Sequence, residues 1–286
     1  MKLVKYFFEY IIITVLFIIF KIIGYKNASE LGEKIGKIIG PLFRSKKKII
    51  NNLKYSNIGE NDHERNKIIK DMWGNYGRIL AEYPYLKKFN EKIYDNYISI
   101  EGLEYLEEIK KNKKKVVFVS GHFNNFELMA MQIENYGIDL AAIYRPLNNI
   151  FLNKTMEKIR ENHICKIQIK KGKSGTRDLL EYFKKGYSIA LMIDQRVSEG
   201  LQVKFFNNNA YTTTIPAQLA KKYNCEIVPV YIYRLNKSSF KMTVYKPIVF
   251  EKDLSIENIT QELNYKLEKM IIKNPEQWIW SHNRWK

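Results

Sequence analysis

The chain is poor in cysteine, in acidic residues and in long uncharged apolar runs. Two cysteines in 286 residues, Cys165 and Cys225, exclude a disulfide scaffold and a Cys-cluster zinc site. Both stand in apolar surroundings, which suits core thiols in a reducing compartment. Acidic residues number 30 against 48 Lys+Arg, leaving a formal charge of +18 at pH 7. Such an excess points to an acidic partner: nucleic acid, an anionic membrane, a phosphorylated substrate or an acidic carrier protein. The abundance of Lys, Asn, Ile and Tyr is the bias of AT-rich coding, so composition alone accounts for part of that charge. There is no Gly-x-x-x-x-Gly-Lys-Ser/Thr loop, no Gly-x-Ser-x-Gly elbow and no Gly-x-Gly-x-x-Gly fingerprint. These absences disfavour a nucleotide hydrolase and a covalent serine enzyme. Neither a zinc-finger spacing nor a recognition helix is present, so nucleic acid drops out as a partner. No motif calls for a cofactor or a metal.

What the chain has is core-forming material: 45% of residues are hydrophobic and 14% aromatic, enough to exclude general disorder. The length fits one large domain or two small ones. Between Tyr6 and Tyr25 only Glu9 and Lys21 are charged. The uninterrupted part, Tyr10 to Phe20, is too short to cross a bilayer alone; the whole stretch is long enough if Lys21 snorkels. Lys2 and Lys5 form the basic start of a signal peptide, but no small-x-small cleavage site follows. The segment is therefore expected to be a single uncleaved N-terminal anchor, spanning or lying in the interface. Leu31, Ile35, Ile38, Ile39 and Leu42 then recur at helical spacing among Lys34, Lys37, Arg44, Lys46, Lys47 and Lys48. A basic amphipathic helix beside an anchor suits anionic lipid, although a solvated face of a core helix has the same pattern. The positive-inside rule puts the body on the cytoplasmic face. The expected division is 1–50 as anchor and basic amphipathic helix, and 51–286 as catalytic domain.

Downstream, short apolar runs alternate with helical patterns. Strands are expected at Val116–Ser120, Leu140–Tyr144, Ile167–Ile169, Ser188–Ile193, Glu226–Tyr233 and Lys241–Val249. Helices are expected at Phe126–Tyr136, through Met156 and Arg160, at Gly175–Lys185, Ile215–Lys222 and Ile256–Ile272. Strands separated by helices of that length imply an α/β fold, with a mixed, largely parallel sheet flanked by helices.

In open α/β sheets ligands bind beyond the carboxyl ends of the strands. Three strand exits carry charged or titratable groups: Gly121-His122-Phe123-Asn124-Asn125-Phe126-Glu127, Arg145-Pro146, and Asp194-Gln195-Arg196. His122 and Glu127 cannot meet on one regular helix, because five residues turn the side chains about 140° apart. They can meet if His122 lies in the loop and Glu127 in the first helical turns, with Glu127 holding one ring nitrogen. The plainer alternative is a histidine at a strand end and a glutamate favouring a helix N-terminus. Arg145, held extended by Pro146, suits bidentate phosphate capture. Asp194 ends an apolar run and needs a partner, for which Arg196 or a loop amide would serve. Lys170, Lys171, Lys173 and Arg177 cluster about Gly172 and Gly175, where an anion could bind a helix N-terminus.

Together these residues resemble a known family. Gly121-His122-x4-Glu127, Tyr144-Arg145-Pro146-Leu147, Asp194-Gln195, and Phe205-Phe206 followed by Thr212-Thr213-Thr214 come in family order. The ending Pro275-Glu276-Gln277-Trp278-Ile279-Trp280-Ser281-His282-Asn283-Arg284-Trp285-Lys286 completes the set. The chain is similar to the bacterial late acyltransferases of lipid A biosynthesis, the lauroyl/myristoyl transferases, over nearly its whole length. The resemblance implies a membrane-anchored enzyme of the inner membrane that moves an acyl chain from acyl carrier protein to a hydroxyl of a lipid A precursor. It implies His122 as general base and Glu127 as the carboxylate orienting it. Arg145, Asp194, Gln195, Arg196, Asn125 and Lys171 become substrate-binding candidates. Anionic inner-membrane lipid is a further expected partner. Asn283 departs from the basic residue expected in the tail, and Asn124-Asn125-Phe126 is an undiagnostic filling of the His-to-Glu interval. An acceptor that is another glycolipid or a phospholipid stays open, as does a non-catalytic basic protein binding the membrane surface.

Overall fold

The computed structural model describes residues 2–285. It opens with α1 (Lys2–Ile23) and α2 (Tyr25–Ile39), separated at Gly24, whose φ of +81° suits glycine. α1 is the one described helix long and apolar enough to cross a membrane. Only its Phe20 is buried, while Phe8, Ile12 and Ile19 face outward.

After α1 and α2 come α3 (Lys46–Tyr55), α4 (Asp62–Glu82) and the short α5 (Leu86–Asn90). Asn61 caps α4, its side chain accepting from the Glu64 amide. α2 and α4 cross at glycines: a Cβ on Gly77 would lie 1.9 Å from the Gly32 carbonyl oxygen. Side chains are excluded there, so the two backbones touch and α2 becomes part of the body. Tyr25 and Ala28 of α2 are buried in the common core.

The body continues as β1 (Ile98–Glu101), α6 (Leu103–Lys111), β2 (Val117–Ser120), α7 (Glu127–Asn135), β3 (Leu140–Tyr144) and α8 (Ile150–His163). There follow β4 (Ile167–Lys170), α9 (Lys173–Lys184), β5 (Ser188–Met192), β6 (Leu201–Phe205), β7 (Asn208–Thr212) and α10 (Ile215–Tyr223). The last elements are β8 (Ile227–Arg234), β9 (Phe240–Val244) and α11 (Ile256–Lys273). Seven strands form one sheet in the order β1-β9-β8-β2-β5-β3-β4. Every pairing is parallel except β8 with β9. All four residues of β2, in the middle of that sheet, are buried, as strands covered on both faces must be. The fold is the mixed, largely parallel α/β architecture that the alternation implies.

Two local differences have physical causes. β9 stops at Val244 rather than reaching Val249, because Pro247 has no amide to donate to a ladder. The β6–β7 hairpin was not among the expected strands. Phe206 and Asn207, both at positive φ (49° and 59°), make its two-residue turn. Its edge amides are taken by α11 side chains, with Gln261 accepting from Lys204 N and Glu268 from Phe206 N.

Candidate active site

The strand exits at the carboxyl ends of β2, β3 and β5 open on one cleft of about 780 Å³. That size lies within the roughly 300–1,000 Å³ usual for ligand pockets. Its lining changes character with depth. The exposed lining residues include Arg44, Arg145 and Lys171, while the buried ones include Phe118, Met129, Ile133, Ile164 and Leu179. A polar rim over an apolar interior suits a ligand with a charged or polar head and a hydrocarbon body.

His122 stands at the rim with 22% of its side chain exposed. Its Nδ1 lies 2.8 Å from Oδ1 of Asp194, and its backbone amide donates to Oδ2 of the same carboxylate at 2.9 Å. A carboxylate only accepts, so Nδ1 carries the hydrogen and Nε2 presents its lone pair. Nε2 has no protein partner among the described residues. Asp194 is 1% exposed and also accepts from the Trp278 indole at 2.9 Å. Burial alone would raise its pKa, but the His122 charge and these hydrogen bonds outweigh it and hold the carboxyl at about 2. For His122 burial disfavours the imidazolium, the Asp194 carboxylate outweighs burial, and the pKa is raised above 6.5.

Glu127, the first residue of α7, makes no hydrogen bond to the imidazole. Its Oε1 accepts from Arg160 Nε at 2.9 Å, from Arg160 Nη2 at 2.6 Å, and from the Tyr83 hydroxyl. Its charge still reaches His122, where it favours the imidazolium. The expected His122–Glu127 contact is thus replaced by His122–Asp194. The reason is geometric: the loop turns at Asn124 (φ +41°) and points His122 toward the end of β5, while Glu127 faces α8.

The remaining candidates divide. Gln195 reaches the site, with Nε2 3.5 Å from His122 Nδ1. Arg145 and Lys171 both line the cleft and are near enough that desolvation, then the Arg145 charge, lowers the Lys171 pKa. Asp194 is buried beneath His122 rather than open to a ligand, and it pairs with His122 and Trp278 instead of Arg196. Arg196 turns away, donating to Ser198 at 3.2 Å and lying 5.4 Å over the Tyr211 ring. Asn125 is fully buried and donates to Glu82 at 3.0 Å, so it holds the loop rather than a substrate.

The sequence marks neither Arg160 nor Tyr83 for a role, since neither stands at a strand exit. It does not mark His282 either, which lines the cleft and whose pKa burial pushes down to about 4. The Trp-rich tail owes its order to packing on the hairpin. Arg284 is 0% exposed, donates to Tyr211 O and Thr212 Oγ1 at 2.7 Å each, and stacks 4.7 Å from Phe205. Trp285 donates to Phe205 O. The tail thereby carries Trp278 to Asp194. Lys286 lies outside the described residues.

Known proteins are similar to the chain at low identity over most of its length. The Shigella flexneri lipid A biosynthesis acyltransferase 2 is 23% identical over 252 residues, spanning 86% of this chain and 80% of that protein. The Escherichia coli lipid A biosynthesis palmitoleoyltransferase is 24% identical over 262 residues, spanning 90% of this chain and 84% of that one. Among solved structures, the 1-acyl-sn-glycerophosphate acyltransferase of Thermotoga maritima superposes with a TM-score of 0.44 at 12% identity, covering 90% of this chain and 100% of that one. The model of the family described as bacterial lipid A biosynthesis acyltransferase matches residues 1–286, and the chain belongs to that family of acyltransferases.

Proposed function

We propose that the protein transfers a fatty acyl group from the thioester of acyl carrier protein to a hydroxyl of a lipid A precursor, by direct attack and without an acyl-enzyme. The observation that carries this reading is the His122–Asp194 pair at the rim of an apolar-floored cleft. A thioester is already activated, so the acceptor hydroxyl needs only a base. Its oxygen attacks the thioester carbonyl carbon while its proton passes to His122 Nε2. The tetrahedral intermediate then expels the thiolate, which takes the proton from the imidazolium. The products are an ester on the acceptor and the free thiol of the carrier. Asp194 keeps the imidazole in the productive tautomer and stabilises its charged form. Glu127, locked by Arg160 and Tyr83, adds negative potential at one remove.

Arg145 and Lys171 at the rim suit an anionic group of acceptor or donor, and the +18 net charge suits an acidic carrier protein and anionic lipid. On this reading the protein sits at the inner membrane on its cytoplasmic face, and α1 supports attachment to a membrane. The helix touches the body at both ends. The Asn149 side chain donates through Nδ2 to Tyr6 O and Glu9 Oε2, and the Tyr85 hydroxyl donates to Phe20 O. A helix held along the body with one apolar face outward favours lying in the interface over crossing it. Mass spectrometry of the host's lipid A tests the acceptor. An acyl chain should vanish when this protein is removed, whereas unchanged lipid A with an altered glycolipid or phospholipid would redirect the reading to that acceptor.

A further inference from the structure

We propose that Glu82 and Arg234 are positioning residues for acyl transfer, a buried bidentate ion pair that fixes the 121–127 loop and thereby the His122–Asp194 contact. Their catalytic relevance rests on the functional reading above; their action on His122 does not.

Neither residue lines the cleft, so neither touches substrate. Glu82 ends α4 and Arg234 ends β8, with side chains 0% and 7% exposed. Arg234 Nη1 lies 2.8 Å from Glu82 Oε1, and its Nη2 donates to Glu82 Oε2 at 3.0 Å. Taking two charges out of water is unfavourable, and an apolar pair would hold the elements together as well. What an apolar pair could not do is hold Asn124 and Asn125, which occupy the interval between His122 and Glu127. Arg234 Nη2 also donates to Asn124 Oδ1 at 3.1 Å, and Asn125 Nδ2 donates to Glu82 Oε2 at 3.0 Å. Gln277 closes the clamp from the other side. It accepts the Asn124 amide on its backbone oxygen at 2.9 Å, and on its Oε1 the Asn124 side chain at 2.8 Å and the Arg234 amide at 2.7 Å.

The clamp is needed because Asn124 is left-handed, a conformation a non-glycine residue adopts only against a steric penalty. That turn is what aims His122 at Asp194. The same helix end also reaches Glu127, since the next residue, Tyr83, donates to it. Ser29 Oγ donates to Glu82 Oε1 at 2.7 Å, so the clamp is anchored in α2 as well.

The test reads His122 directly. The rate of His122 modification by diethyl pyrocarbonate, mapped by peptide mass across a pH series, gives its titration midpoint without any acyl donor. The charged and titratable groups acting on His122 are Asp194, Glu127 and Arg160, with His282 beside it. Arg234→Lys alters none of these and keeps its own charge, so any shift must come from geometry. In Arg234→Lys and Glu82→Gln the midpoint should fall toward the ordinary imidazole value of about 6.5. Turnover per folded molecule should fall about 10- to 100-fold with the donor KM little changed. Should either variant fail to fold, Asn124→Gly keeps the left-handed turn accessible, removes the clamped amide, and should give the same two changes. A wild-type midpoint in the folded variants, or a loss of turnover matching only the loss of folded protein, overturns the proposal. A wild-type protein that transfers no acyl group would overturn the functional reading instead, and the midpoint would still decide the clamp.

Discussion

Nδ1 of His122 and Oδ1 of Asp194 are 2.8 Å apart, joining the exit of β2 to the exit of β5 across the rim of the cleft. The carboxylate is dry, accepts three hydrogen bonds and stays ionised far below neutrality. An imidazole so held has one nitrogen committed and the other free, which is what a general base requires.

The pH dependence follows from the sign of the His122 shift. Its pKa is raised, and the base works only when neutral, so activity should be lost as pH falls through a midpoint above 6.5. The acid limb of kcat/KM in the free enzyme gives that midpoint. A limb well below 6.5 would show that another group is the base.

Replacing Asp194 by Asn removes the charge and lets the ring adopt the wrong tautomer. We expect turnover to fall about 10²–10⁴-fold, with any residual acid limb moved to lower pH. Steady-state rates of the folded variant decide this. A loss under about threefold would leave Glu127 as the carboxylate that matters.

Glu127 and Arg160 have side chains only 7% and 12% exposed. Glu127→Gln leaves the guanidinium buried without its counter-charge, so unfolding should become easier by about 3–5 kcal/mol in addition to lost activity. Denaturant titration measures the first and an acyl-transfer assay the second. A variant as stable as wild type would mean that water reaches the pair.

Arg145→Lys keeps a charge at the rim but loses the planar fork. One charge-assisted hydrogen bond is worth about 1.5–3 kcal/mol, so kcat/KM should drop about 10- to 100-fold. Unchanged kinetics in Arg145→Ala would remove this residue from the site.

For the membrane, the outward face of α1 is the handle. Ile12, 59% exposed, should contribute about 2 kcal/mol on insertion. Ile12→Glu should therefore weaken sedimentation with anionic vesicles by at least about tenfold. A freely soluble full-length protein at low salt without detergent would contradict the anchor.

The sheet was legible in the sequence because β2, β3 and β5 are short apolar runs bounded by helical patterns, and central parallel strands have to be so. The β6–β7 hairpin was not. Leu201-Gln202-Val203-Lys204-Phe205 does alternate apolar and polar residues and the Asn207-Asn208-Asn209 run marks its turn, but the run is only five residues long and Leu201, at its start, is exposed. Of the expected residues, His122, Gln195 and Arg145, singled out after strands, and Lys171, singled out in a basic cluster, line the cleft. The partner of His122 was misassigned because nearness in sequence favoured Glu127. Asp194 is 72 residues away, and only the side-by-side pairing of β2 with β5 brings it close. Arg160, Tyr83, Glu82 and Arg234 were invisible for the same reason: each acts from an element whose neighbours are set by the tertiary fold.

The most direct measurement is a purified transfer assay with an acyl-carrier-protein thioester and a lipid A precursor, followed by mass spectrometry, for wild type and His122→Ala. The account predicts an acceptor heavier by one acyl chain, a rate about 10²–10⁴-fold lower in His122→Ala with the fold retained, and no acylated protein when donor is mixed with enzyme alone. Near-normal turnover by His122→Ala, or an acyl-enzyme on the reaction path, would contradict it.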